Sequence, residues 1–173
     1  PETNSLYYRD HLQYKFEATI LEVMGNVLKG GSASQVILDQ SSFYPTSGGQ
    51  QHDSGSLTID GVEYQVIDVT KVGPCVLHEI EPPLPGNDLA KWAGMAVTGE
   101  VDTVRREQLR NNHTATHIVY ASCRKILGPH VWQHGAKKTV RQAHLDITHF
   151  QSLTHEEVLA IENEANRVVH RCR

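Results

Sequence analysis

The chain has 173 residues, a hydrophobic fraction of 39% and a formal net charge of −4, which suits a protein that buries a core and excludes a mainly disordered polymer. No apolar run approaches the roughly 20 residues needed to span a bilayer, and the opening PETNSLYYRD has neither a basic nor an apolar export region. Cys75, Cys123 and Cys172 are far apart and odd in number, so the expected setting is a reducing cytoplasm and not a disulfide framework.

The first hundred residues read as β structure. YKFEATILEV (Tyr14 to Val23), SQVILD (Ser34 to Asp39), GSLTI and VEYQVIDVTKV alternate or are rich in β-branched residues, and Asp60-Gly61 supplies a two-residue hairpin turn. CVLHEI (Cys75 to Ile80) and GMAVTGEV (Gly94 to Val101) continue the pattern on either side of the turn-rich EPPLPGND. Short strands at this spacing predict a small antiparallel barrel or sandwich.

From Asp102 the period changes to that of a helix. Val104, Leu109, His113, Thr116 or His117, Tyr120, Cys123 and Leu127 form the expected buried stripe, with Asp102 as cap and Gly128-Pro129 as stop. TVRQAHLDITHF then reads as one or two strands. In the final segment Thr154 and Glu157 form a capping box ahead of a helix whose buried stripe is Val158, Ile161, Ala165, Val168 and Cys172. The fold class is therefore α+β, with a barrel-like part over residues 1–101 and an α+β part over residues 102–173.

Charge divides along the same line. Residues 1–100 hold 5 Lys/Arg against 13 Asp/Glu, and residues 101–173 hold 11 against 7. RNA is the expected partner of the basic part, because phosphate contacts depend on local cations. A helical segment with solvated Lys and Arg accounts for the same asymmetry equally well.

Three stretches carry candidate chemistry. In NNHTATHIVYAS, His113 and His117 lie four apart and project from one face of the predicted helix, within reach of one ion. Thr114 occupies the position where an H-E-x-x-H peptidase carries its glutamate, which disfavours that activity; a chance pair among 11 histidines is the competing reading. FYPTSGGQQHDSG (Phe43 to Gly55) holds Gly48 and Gly49, whose backbone can approach a ligand closely, flanked by Thr46, Ser47 and Gln50. Without a Gly-Lys-Ser/Thr ending it is no Walker loop, and it is either a ligand loop or an elaborate turn. The stretch WQHGAKKTVRQAHLDITHF, with His130 just before it, adds His134, His144, His149, Lys137, Lys138 and Arg141, at spacings that match no common zinc pattern.

These stretches, in this order, resemble the editing domain of alanyl-tRNA synthetase and the related freestanding AlaX proteins. The distinguishing pattern is F-Y-P-T-S-G-G-Q followed some 60 residues later by H-T-A-T-H. The resemblance implies a β-barrel-like subdomain followed by an α+β core that hydrolyses serine or glycine esters of tRNA(Ala). It implies zinc ligands at His113 and His117, a substrate pocket at Gly48 and Gly49, a hydroxyl-reading Thr46, and Gln50 placing the ester or water. The family's C-x-x-x-H zinc motif is absent from the sequence, so the expectation is a cut chain with zinc only in the intact domain. The alternatives are a freestanding trans editor and a non-catalytic tRNA-binding or structural module.

Overall fold

A computed structural model describes residues 1–25 and 33–171. The chain divides into two compact units, Pro1–Ser47 with His52–Arg106, and Gly48–Gln51 with Glu107–Arg173. No described helix is long and apolar enough to cross a membrane.

The first unit contains β1 (Asn4–Ser5), β2 (Lys15–Gly25), β3 (Ser34–Leu38), β4 (Gln40–Ser41), β5 (Gly55–Ile59), β6 (Val62–Val72), β7 (Cys75–Glu81) and β8 (Ala96–Val101). β1 pairs in parallel with β4, and the other six close an antiparallel barrel in the order β2-β3-β7-β6-β5-β8. The alternation read from the sequence is what fills it. Phe16, Ala18 and Ile20 of β2 face inward with Leu57 and Ile59 of β5 and Val97 and Val101 of β8, as the two-residue strand period requires. Asp60 and Gly61, with φ of 50° and 75°, form the β5–β6 turn, and the positive pair is the conformation that matches strand twist.

Among the polar groups buried in this unit, two titratable ones are fully buried. His78 on β7 is fully buried; its Nδ1 donates to Val36 O at 3.1 Å, and its Nε2 accepts from the Ser41 hydroxyl at 2.7 Å. Burial lowers its pKa to about 4, against a smaller raising effect from the Val36 bond, so the ring is neutral in the folded barrel. The second is Asp53, fully buried against Arg106. Arg106 Nε reaches both carboxylate oxygens at 3.1 and 2.9 Å, and its other nitrogens donate to His11 O and Ser42 O.

The second unit contains most of α1 (Thr103–Leu127), then β9 (Gln133–Lys138), β10 (Ala143–Ile147) and α2 (His155–Arg171). Its small core joins Cys123, Val131 and Ile161, with Val119, Tyr120, Leu127 and Ile147 against them. Both predicted helix caps form: Asp102 Oδ1 accepts from Arg105 N at 3.0 Å, and Thr154 and Glu157 exchange reciprocal bonds at 3.2 and 2.8 Å.

Several details depart from or refine the sequence expectation, among them Val158 of the α2 stripe, which is 45% exposed. Val104 is 80% exposed, since the first turn of α1 buries Arg106 instead. Of the two alternatives on the stripe, Thr116 takes the buried position, its hydroxyl bonding back to Asn112 O at 2.7 Å, and His117 is exposed. The strands fall at 133–138 and 143–147, leaving residues 139–142 as the turn between them. Cys172, placed on the α2 stripe, lies outside the described residues.

Removing one partner of the buried pair strands the other charge. Asp53→Ala is expected to cost about 3–5 kcal/mol in urea unfolding, whereas Glu100→Ala, which breaks an exposed pair with Lys15, should cost under about 1 kcal/mol. For His78 the folded value lies below the unfolded one, so its contribution is intact above about pH 6.5 and drains away as pH falls toward 4. Between pH 7 and 4.5 the wild type should lose about 2–3 kcal/mol more than His78→Gln.

Candidate functional site

The glycine-rich loop is divided between the units. Thr46 belongs to the first, is exposed, and is held in the turn: its N–H donates to Val69 O at 3.1 Å and its hydroxyl accepts from His52 N at 3.1 Å. His52 beside it places Nδ1 2.7 Å from its neighbour's carbonyl at Asp53 and Nε2 3.6 Å from Asp68 Oδ1. Sequence reading passed over His52; its position inside the quoted loop was the available signal.

Gly48, Gly49 and Gln50 belong to the second unit and extend its sheet. Lys138 N donates to Gly49 O at 2.7 Å and Gln51 N to Lys138 O at 3.0 Å, a parallel bridge centred on Gln50 and Lys138. The approach demands glycine at one position above the other. Both have positive φ, 57° and 76°, but a Cβ on Gly49 would lie 2.0 Å from Ala136 O, while one on Gly48 meets nothing within 4 Å.

This edge delivers two polar side chains. Lys138 is 2% exposed and donates through Nζ to Gly48 O at 2.9 Å, and burial lowers its pKa. Gln50, 4% exposed, accepts through Oε1 from His113 Nδ1 at 2.7 Å. A proton on Nδ1 leaves Nε2 with its lone pair, the arrangement that suits a metal ligand or a proton acceptor. Burial, then Lys138, then His117 hold His113 below the ordinary histidine pKa, so it is neutral near pH 7.

His117 follows one turn along α1, its ring 5.0 Å from that of His113 at an angle of 17°. The structure thus brings Gly48, Gly49, Gln50, His113 and His117 into one unit, joined by Lys138. Among the described residues no group of three or more His, Cys, Asp or Glu side chains could hold a metal. Two imidazoles are half of the four ligands that zinc usually takes.

Residues 1–105 match the family described as tRNA synthetases class II (A). The chain belongs to that family. Among its relatives, the alanine–tRNA ligase of Metallosphaera sedula is 44% identical over 169 residues, 98% of this chain and 17% of that protein. Those of Pyrococcus abyssi and Methanobrevibacter smithii are 41% and 40% identical over the same share of the chain. The chain therefore spans 17–18% of the length of these relatives.

The family match corrects the recognition drawn from the loop and the histidine pair. All of FYPTSGGQQHDSG lies inside residues 1–105, the part matched to the synthetase family itself. That finding supports a fragment of the aminoacylation domain of an alanyl-tRNA synthetase in place of an editing domain or a freestanding editor. The groups that had suggested an ester-cleaving pocket have other engagements here, Thr46 with the His52 amide and Gln50 with His113.

Gly49→Ala is expected to cost about 2–4 kcal/mol, from left-handed strain plus the backbone clash, and to speed amide exchange at Lys138 and Gln51. Gly48→Ala should cost only about 1 kcal/mol. Equal costs in urea unfolding would mean that the edge does not require the close approach.

Proposed function

We propose that this chain is a segment of an alanine–tRNA ligase, from its aminoacylating part, and that it helps the enzyme hold tRNA(Ala) while alanine is joined to it. The supporting observation is identity of 40–44% along 98% of the chain to alanine–tRNA ligases. A cytoplasmic setting goes with this reading. The basic balance of residues 101–173, 11 Lys/Arg against 7 Asp/Glu, supports RNA as the partner of that region. Lys138 is buried, so phosphate contacts fall to exposed cations such as Lys137 and Arg141.

The test is filter binding of a tRNA(Ala) transcript between 50 and 200 mM salt. Affinity should fall steeply with salt, and Lys137→Ala with Arg141→Ala should together reduce the log–log slope by about two. No retention of tRNA(Ala) at the lowest salt, or normal alanine attachment by a full-length ligase lacking this chain, refutes the reading.

We also propose that zinc takes His113 and His117 as two ligands, with the others supplied by parts of the ligase outside the described residues. The neutral His113 ring, its Nδ1 tied to Gln50, supports this. Zinc bound by two imidazoles alone is weakly held. Equilibrium dialysis should show weak uptake by this chain and none after His113→Ala with His117→Ala; undiminished uptake by the double variant removes both residues from the site.

A further inference from the structure

The segment before β9 and the segment after β10 are fastened side by side in the second unit. Trp132 N donates to the Thr148 hydroxyl at 2.9 Å, Thr148 N donates to Trp132 O at 2.8 Å, and the same hydroxyl reaches His130 O at 3.3 Å. This fastening assembles a cluster of rings. His130 and His149 lie 5.1 Å apart at 25°, with Nε2 and Nδ1 3.0 Å from each other, and Phe150 packs against both at 5.3 and 4.5 Å. Nearby in sequence, the Arg124 guanidinium sits 4.5 Å over the Trp132 ring and also bonds the Tyr120 hydroxyl at 3.3 Å.

The rings are held but not covered. Phe150 is 78% exposed and Trp132 60%, the most exposed aromatics of this unit, while His149 Nε2 is shielded without a partner, so that ring is packed into the cluster. Large apolar rings left open on an ordered patch mark an interaction surface. The chemistry of the patch selects the partner. The Arg124 guanidinium lies over one ring and imidazoles pack against the other, and residues 124–150 carry five Lys/Arg, of which Lys125 is paired with Glu164 and Lys138 is buried, against the single acid Asp146, itself paired with His144; Lys137 and Arg141 are exposed cations. An aliphatic protein surface would leave the exposed cations Lys137 and Arg141 unanswered. An unpaired nucleobase offers a π face for the rings and an attached phosphate for the cations.

We propose that Phe150 and Trp132, steadied by His130, His149 and Arg124, are a stacking platform for an unpaired nucleobase of RNA. This rests on the tRNA reading above and names the surface that would engage the base. Two probes separate the two ideas: a tRNA(Ala) transcript and a ten-nucleotide unstructured RNA.

Phe150→Ala should weaken binding of the short RNA about tenfold while leaving its salt slope unchanged, because stacking is lost and no phosphate contact is. Phe150→Tyr should restore most of the affinity. Trp132→Ala tests the second ring independently, and in the wild type Trp132 emission should be quenched by the short RNA, a signal absent from Trp132→Phe, which retains only the buried Trp92. Binding of tRNA(Ala) with Phe150→Ala and Trp132→Ala both within twofold of wild type overturns the platform alone. Failure of the wild type to bind either RNA overturns the tRNA reading with it. Normal RNA binding by variants that loosen a full-length ligase assigns the rings to a protein contact and overturns the proposal.

Discussion

The carboxylate of Asp53 and the guanidinium of Arg106 meet in a space sealed from water, with 0% and 3% of their side chains exposed. Taking two such charges out of water is repaid only if nearly every donor and acceptor finds a partner. Here they do. Besides the pair itself, Arg106 holds the carbonyls of His11 and Ser42, and Asp53 Oδ2 accepts from Tyr44 N at 2.7 Å. Asp53 N then returns a bond to Tyr44 O at 3.0 Å. Tyr44 and Asp53 are thereby tied to each other on either side of residues 45–52. The ion pair thus anchors Tyr44 and Asp53 within the first unit.

Arg106 is also a residue of the first turn of α1. Asp102 caps that turn, and Ser54 donates to Asp102 at 3.5 Å, so the loop's return and the helix start are secured by the same few residues. Within the second unit, position is then handed on by hydrogen bonds. The Lys138 backbone receives the glycine edge, Gln50 in that edge sets the tautomer of His113, and Asn112 one residue earlier on the helix donates to Thr139 O at 2.7 Å. A neutral imidazole with an available Nε2 is therefore the product of backbone pairing as much as of any one side chain.

How much of this could be read from the residues depends on range. The barrel strands were legible because each carries its own two-residue alternation or run of β-branched and apolar residues, and α1 and α2 because Asp102 and the Thr154–Glu157 box act within one turn. β9 was not: QHGAKK has no β-branched residue, and its strand character comes from the glycine edge and β10 on either side. The burial of Lys138 has the same origin and leaves no mark in its own segment. The contact of Gln50 with His113 joins residues 63 apart and leaves no local trace. The recognition failed differently. A glycine-rich loop and a spaced histidine pair are short patterns, and the match over residues 1–105 to the synthetase family outweighs them.

The barrel closes by pairing β2 with β8, Lys15 opposite Glu100 and Thr19 opposite Ala96. A chain emerging from the ribosome presents β2 some eighty residues before the strand that closes the barrel against it. During that interval β2 can have only β3 beside it, and its other edge is an open row of amides and carbonyls able to pair with any passing strand. Arg106 follows β8 by only a few residues. The strand that closes the barrel and the cation that neutralises Asp53 are thus supplied by one short stretch of chain, so the sheet cannot close long before the buried acid finds its partner.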